Sequence, residues 1–89
     1  MVIRQHIVFI GRVQGVGFRY TAISCANTFG LTGWVTNNYD GTVEMEVQGE
    51  MDKIESMLHV LEHDRFIQIK RMQRTSIPVK NNEKRFNVR

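Results

Sequence analysis

Residues 3–30 read IRQHIVFIGRVQGVGFRYTAISCANTFG, and within them the period of the apolar residues changes once. Over 3–11 the period is two: Ile3, Gln5, Ile7 and Phe9 share one face, and Arg4, His6, Val8 and Ile10 the other. The second half of that segment is apolar on both faces, which is how a central strand reads. From Phe18 onward the period becomes helical, through Phe18, Ala22, Cys25, Ala26 and Phe29, and Gly30 stands where a left-handed C-cap is needed. The spacing predicts a helix over 19–29. Between strand and helix, GRVQGVGFRY (11–20) places three glycines before an arginine.

The rest of the chain extends this β-α start. Residues 31–37 and 42–48 flank NYDG, where Asp40 and Gly41 supply turn chemistry, and Val43, Met45 and Val47 alternate with Glu44, Glu46 and Gln48. The pair reads as a hairpin with one wet face. Ile54, Met57, Leu58 and Leu61 mark a second amphipathic helix, followed by an apolar-polar stretch over 66–72 and a short RFNV end. The order is β-α-β-β-α-β with a trailing strand. It predicts an α+β ferredoxin-like sandwich, an antiparallel sheet with both helices on one face and an extra short C-terminal strand.

Composition sets the outer bounds. The chain has 89 residues, 42% of them hydrophobic, and no charge-rich or Pro/Gly/Ser-rich linker divides it, so residues 1–89 are expected to form one domain. Arg4, Gln5 and His6 interrupt the N-terminus before any signal-like apolar run, which points to a cytoplasmic protein that does not engage a membrane. The lone Cys25 excludes an internal disulfide and a Cys-rich zinc site, and its place on the apolar face of helix one reads as core packing. Charge is uneven. Residues 1–64 carry four Lys/Arg against eight Asp/Glu, and residues 65–89 carry eight against Glu83 alone, giving +3 in all. A basic tail of this kind is a solvated edge or a weak attractor for anions.

A glycine-rich passage from strand into helix presents free N–H groups at the positive end of the helix dipole, a natural anion cradle. The dinucleotide fingerprint is absent, because Tyr20 occupies the place of its third glycine, and no Lys-Ser/Thr pair follows to make a P-loop. What remains is a cradle for a single phosphate, with the planar fork of Arg19 beside it. The competing reading is a tight turn whose glycines merely permit positive φ, with Arg19 directed to solvent. Composition and spacing leave the two open.

GRVQGVGFR, followed by GLTGWVTNNYDGTVE over 30–44, strongly resembles the acylphosphatase family, with its G-x-V-Q-G-V-x-F-R loop and GWV-x-N-x-x-DG-x-VE hairpin. The match is dense over 7–49 and fades beyond. The resemblance implies a small monomeric enzyme without cofactor or metal that hydrolyses acyl phosphates to carboxylate and orthophosphate. It also implies the roles of residues. Arg19 binds the phosphoryl group, the N–H groups of Gly15, Val16, Gly17 and Phe18 complete the cradle, and Asn37 holds the attacking water. Two departures stand out: Thr36 occupies a position where the family often has arginine, and the segment after Asp64 lacks the glycine-proline step and valine-rich strand usual there.

Other motifs carry rival readings. HVLEH (59–63) matches an H-x-x-E-H zinc signature by letter, but both histidines fall near the end of an amphipathic helix and a catalytic zinc needs a third ligand. His6 reads as a structural residue on the first strand, and Trp34 as a core or hairpin-edge aromatic. The alternative function is a non-catalytic anion- or RNA-binding module on the same fold, prompted by the basic C-terminal segment. TVEMEV counts against nucleic acid, since it puts glutamates where an RNA-recognition sheet needs aromatic and basic side chains. A third reading is the acylphosphatase-like portion of a larger carbamoyl-transferring protein.

Overall fold

The computed structural model describes residues 1–89. Its elements are β1 (Val2–Arg12), α1 (Phe18–Phe29), β2 (Thr32–Asn37), β3 (Val43–Glu50), α2 (Met51–Glu62), β4 (Gln68–Ile77) and β5 (Phe86–Val88). They form one five-stranded sheet in the order β4-β1-β3-β2-β5. The first four strands pair antiparallel, as the sequence predicts, while β5 lies parallel to β2, with Gly33 opposite Phe86 and Val35 opposite Val88. The finished sheet is therefore mixed. β1 is central, with β3 on one side and β4 on the other.

Alternation decides which side is dry. Ile7 and Phe9 of β1, Val35 of β2, and Val43, Met45 and Val47 of β3 are fully buried, and they meet Phe18, Ala22 and Ala26 of α1 and Ile54, Met57, Leu58 and Leu61 of α2. Burying one such aliphatic side chain contributes about 1.5–3 kcal/mol. α1 ends where the sequence placed its cap: Gly30 adopts φ 70°, a left-handed conformation, and its N–H reaches the Ala26 carbonyl. Gly33 has a different reason to be glycine. It runs at φ 137° in the middle of β2, and a Cβ there would stand 1.9 Å from the Glu46 carbonyl oxygen.

The other side of the sheet carries no helix, and charge pairs cover it. The Arg4 side chain is completely buried there, gripped by Glu46 at 2.8 Å, by Glu83 at 2.7 Å and by the Gln48 amide oxygen at 3.1 Å. Burial alone would lower the Arg4 pKa; the hydrogen bonds from Glu83 and Glu46 outweigh it and hold the pKa above its ordinary value. Glu83 belongs to the 78–85 connection, and Gln48 binds that connection too, donating to the Lys80 carbonyl at 2.8 Å and accepting from the Lys80 N–H at 2.8 Å. The strap between β4 and β5 is thus fastened across the sheet, which is what delivers β5 to the edge of β2.

Candidate active site

The loop joining β1 to α1 is pinned at both ends by core side chains. Val13 and Phe18 are buried, and the Phe18 ring packs on Phe9 with centroids 4.8 Å apart. Between them Gly15 (φ 72°) and Gly17 (φ 81°) take left-handed conformations, with Gly17 as the N-cap of α1. A side chain at either position costs about 1–2 kcal/mol of backbone strain. The loop therefore turns so that its N–H groups stay unused. No N–H from Gly15 to Tyr20 donates within the protein, the first bond of the helix being Thr21 N–H to the Gly17 carbonyl at 3.0 Å. The first turn of α1 contains no acidic residue and has no side-chain cap. An uncapped helix start with idle donors is an anion site in chemical terms.

Arg19 projects from that first turn. It is exposed and lines a cleft of about 360 Å³ together with Gly15, Gly17, Phe18 and Asn37, and no carboxylate of the protein pairs with it. Asn37 enters from the last position of β2. Its amide oxygen is the single buried side-chain polar atom without a hydrogen-bond partner. The amide nitrogen also bonds to no protein group, yet it keeps contact with solvent. Rotating the amide by half a turn exchanges the two ends, so the side chain can offer the cleft either an acceptor or a donor.

Of the six residues singled out by sequence, five line this cleft. Val16 faces the far side of the loop, where it borders a second cleft of about 480 Å³ with Arg12 and Arg65. Sequence reasoning overlooked three contributors. Ile23 of α1 and Val88 of β5 supply an apolar wall, and Tyr20 an exposed ring. Gln14 ties the loop to the hairpin, donating through Nε2 to the carbonyls of Asn38 at 2.7 Å and Thr42 at 2.9 Å. Its letter stood in the quoted motif, but its partners are 24 and 28 residues away.

A match to the family model described as Acylphosphatase spans residues 5–88. The chain belongs to the acylphosphatase family. An acylphosphatase of Geobacillus kaustophilus is 45% identical over 86 residues, covering 96% of this chain and 92% of that protein. One from Clostridium acetobutylicum is 42% identical over 89 residues, with 99% and 98% covered. The crystal structure of acylphosphatase from Bacillus subtilis superposes with a TM-score of 0.88 at 31% identity, covering 99% of this chain and 98% of that one. The activity that goes with family, fold and cleft is the hydrolysis of acyl phosphates.

The remaining sequence readings sort by face. Thr36 points to the side of β2 opposite Asn37 and does not line the cleft; its hydroxyl donates to the Arg89 carbonyl at 3.0 Å. The Arg89 guanidinium lies over the Trp34 ring at 4.3 Å, so that half-buried tryptophan is occupied as an acylphosphatase edge residue. His6 sits 2.7 Å from Glu44, whose carboxyl is held below the usual carboxylate range by that hydrogen bond, against burial and with help from Asn38 and Arg89. Cys25 is buried, and burial pushes its thiol pKa up, away from nucleophilic use. His59, Glu62 and His63 lie on or beside α2, which contributes nothing to the cleft.

Proposed function

We propose that this acylphosphatase holds the phosphoryl group of its substrate with Arg19 and the N–H groups of residues 15–18, and that Asn37 positions the water that attacks phosphorus in line. The observation that carries the reading is the pairing of an unpartnered guanidinium with an unpartnered amide across one cleft. An acyl phosphate is a mixed anhydride. Its leaving group is a carboxylate, a weak base that departs without a strong general acid. Phosphoryl transfer passes through a loose transition state with charge spread over the equatorial oxygens, so positioning and electrostatic stabilisation supply most of the catalysis. Arg19 and the loop donors hold that charge. An amide is no base, but it aims a lone pair well enough when the leaving group is good.

The helix-free side of the sheet favours hydrolysis over RNA binding. Glu44 and Glu46 occupy its centre and are paired with His6 and Arg4, where stacking aromatics would be required. We further read residues 1–89 as one domain acting as a cytoplasmic monomer, supported by a cleft whose whole lining comes from one chain and by a single buried thiol. The test is hydrolysis of benzoyl phosphate by the purified protein beside Arg19→Ala, with orthophosphate as inhibitor. Orthophosphate should raise the apparent KM and leave kcat alone, because product and substrate share the cradle. A non-competitive pattern would place the phosphate elsewhere.

A further inference from the structure

Two of the chain's three histidines serve neither the cleft nor the sheet. His59 and His63 stand one helical turn apart at the C-terminal end of α2, both exposed, with ring centroids 4.1 Å apart and planes inclined by 31°. The Nδ1 atom of His63 lies 2.9 Å from the His59 carbonyl oxygen. A carbonyl only accepts, so in the neutral ring Nδ1 carries the proton and Nε2 presents a lone pair outward. Metal-ligating imidazoles are arranged in this way, one nitrogen donating to a backbone carbonyl and the other left free to ligate. The His59 ring makes no hydrogen bond at all, which leaves either of its nitrogens available.

We infer that His59 and His63 form a two-coordinate chelate for a late first-row divalent ion, Ni²⁺, Cu²⁺ or Zn²⁺, with water in the remaining positions. Imidazole selects these ions over Mg²⁺ and Ca²⁺, which prefer oxygen. Glu62 does not complete a triad: it adjoins His63 in the chain but is turned about 100° around the helix, and nowhere do three His, Cys, Asp or Glu side chains converge. The site is thus a surface chelate and not the catalytic zinc centre that HVLEH spells. It stands apart from the cleft, to which α2 contributes nothing, and does not depend on the roles proposed for Arg19 and Asn37.

The experiment is thermal unfolding of the full chain in a non-coordinating buffer with rising NiCl₂, beside MgCl₂ at equal ionic strength. The midpoint should climb with Ni²⁺ and not with Mg²⁺, since an ion that binds only the folded pair stabilises it by mass action. His59→Ala and His63→Ala should each abolish the climb, while His6→Gln keeps it. Calorimetry should give one Ni²⁺ per chain, weakened about 10²-fold when either ligand is lost, as expected when a chelate becomes a single contact. Benzoyl phosphate turnover should be unchanged in both alanine variants, which also certifies their folding. A climb that survives in the double alanine variant overturns the site, as does the absence of any climb in the wild type.

Discussion

Asn37 holds a buried amide oxygen that nothing in the protein satisfies, and such an atom costs a fold about 1–3 kcal/mol. A residue kept at that cost is kept for another reason. Asn37→Ala should therefore separate stability from turnover: the thermal midpoint stays level or rises, while kcat on benzoyl phosphate falls about 10²-fold or more, as positioning arguments require. Orthophosphate affinity by calorimetry should hold, because the amide faces the water and not the phosphate. Arg19 should behave in the opposite manner. It meets the phosphoryl group in ground and transition states alike, so Arg19→Ala should lower both kcat and orthophosphate affinity, and Arg19→Lys should rescue little because a point charge lacks the two-pronged fork. Near-normal phosphate binding by Arg19→Ala would remove the cradle from this loop. Both residues could be named from sequence, through the two motifs that carry them. The orphaned oxygen could not, since it arises where the end of β2 meets α1 and β5.

The loop and the hairpin form one unit only because Gln14 bridges them. Gln14→Ala removes two hydrogen bonds and should cost about 1–3 kcal/mol, with kcat falling as the cradle and Asn37 lose their mutual register. Orthophosphate affinity should be largely kept, since its donors lie within the loop itself. Gly33 constrains the same hairpin from its middle. Gly33→Ala drives a Cβ into the Glu46 carbonyl and should lower the urea midpoint by the equivalent of at least about 1–3 kcal/mol, with a loss of soluble yield. The elements legible in sequence were those with a buried face. β1, α1, β2, β3 and α2 each fell within a few residues of the periodic signal, because alternation or helical spacing reports one dry side. β4 runs to Ile77, well past residue 72, and most of its residues are exposed, so no apolar alternation marked its end. The parallel pairing of β5 was equally silent, being set by the Arg4, Gln48 and Glu83 fastening of the strap.

Across the whole molecule, charge is arranged for neutral pH. Glu44, Glu55 and Glu83 are all held below the usual carboxylate range, by His6, by Arg74 and by Arg4 respectively, in the last case against strong desolvation. A carboxyl with a lowered folded pKa adds stability above its unfolded value, about 4.3 for Glu, and loses it as pH falls through the folded value. The urea midpoint should accordingly be insensitive to these groups between neutrality and about pH 5, then drop below about pH 4. Glu83→Gln should shrink that drop, and Arg4→Ala should be much the worse change at pH 7, about 3–5 kcal/mol, because it strands carboxylates that Arg4 now neutralises. The placement of β1 between β3 and β4 also has a consequence in time. During synthesis β3 is complete at residue 50 and β4 only at residue 77, an interval of about 1–5 s at ordinary elongation rates. Through that interval the nascent chain displays a bare strand edge whose centre is Ile7, Val8, Phe9 and Ile10, the most adhesive run in the sequence. The charged strand that will shield it, with Lys70, Arg71 and Arg74, is still inside the ribosome, so the vulnerable form of this protein is the unfinished one.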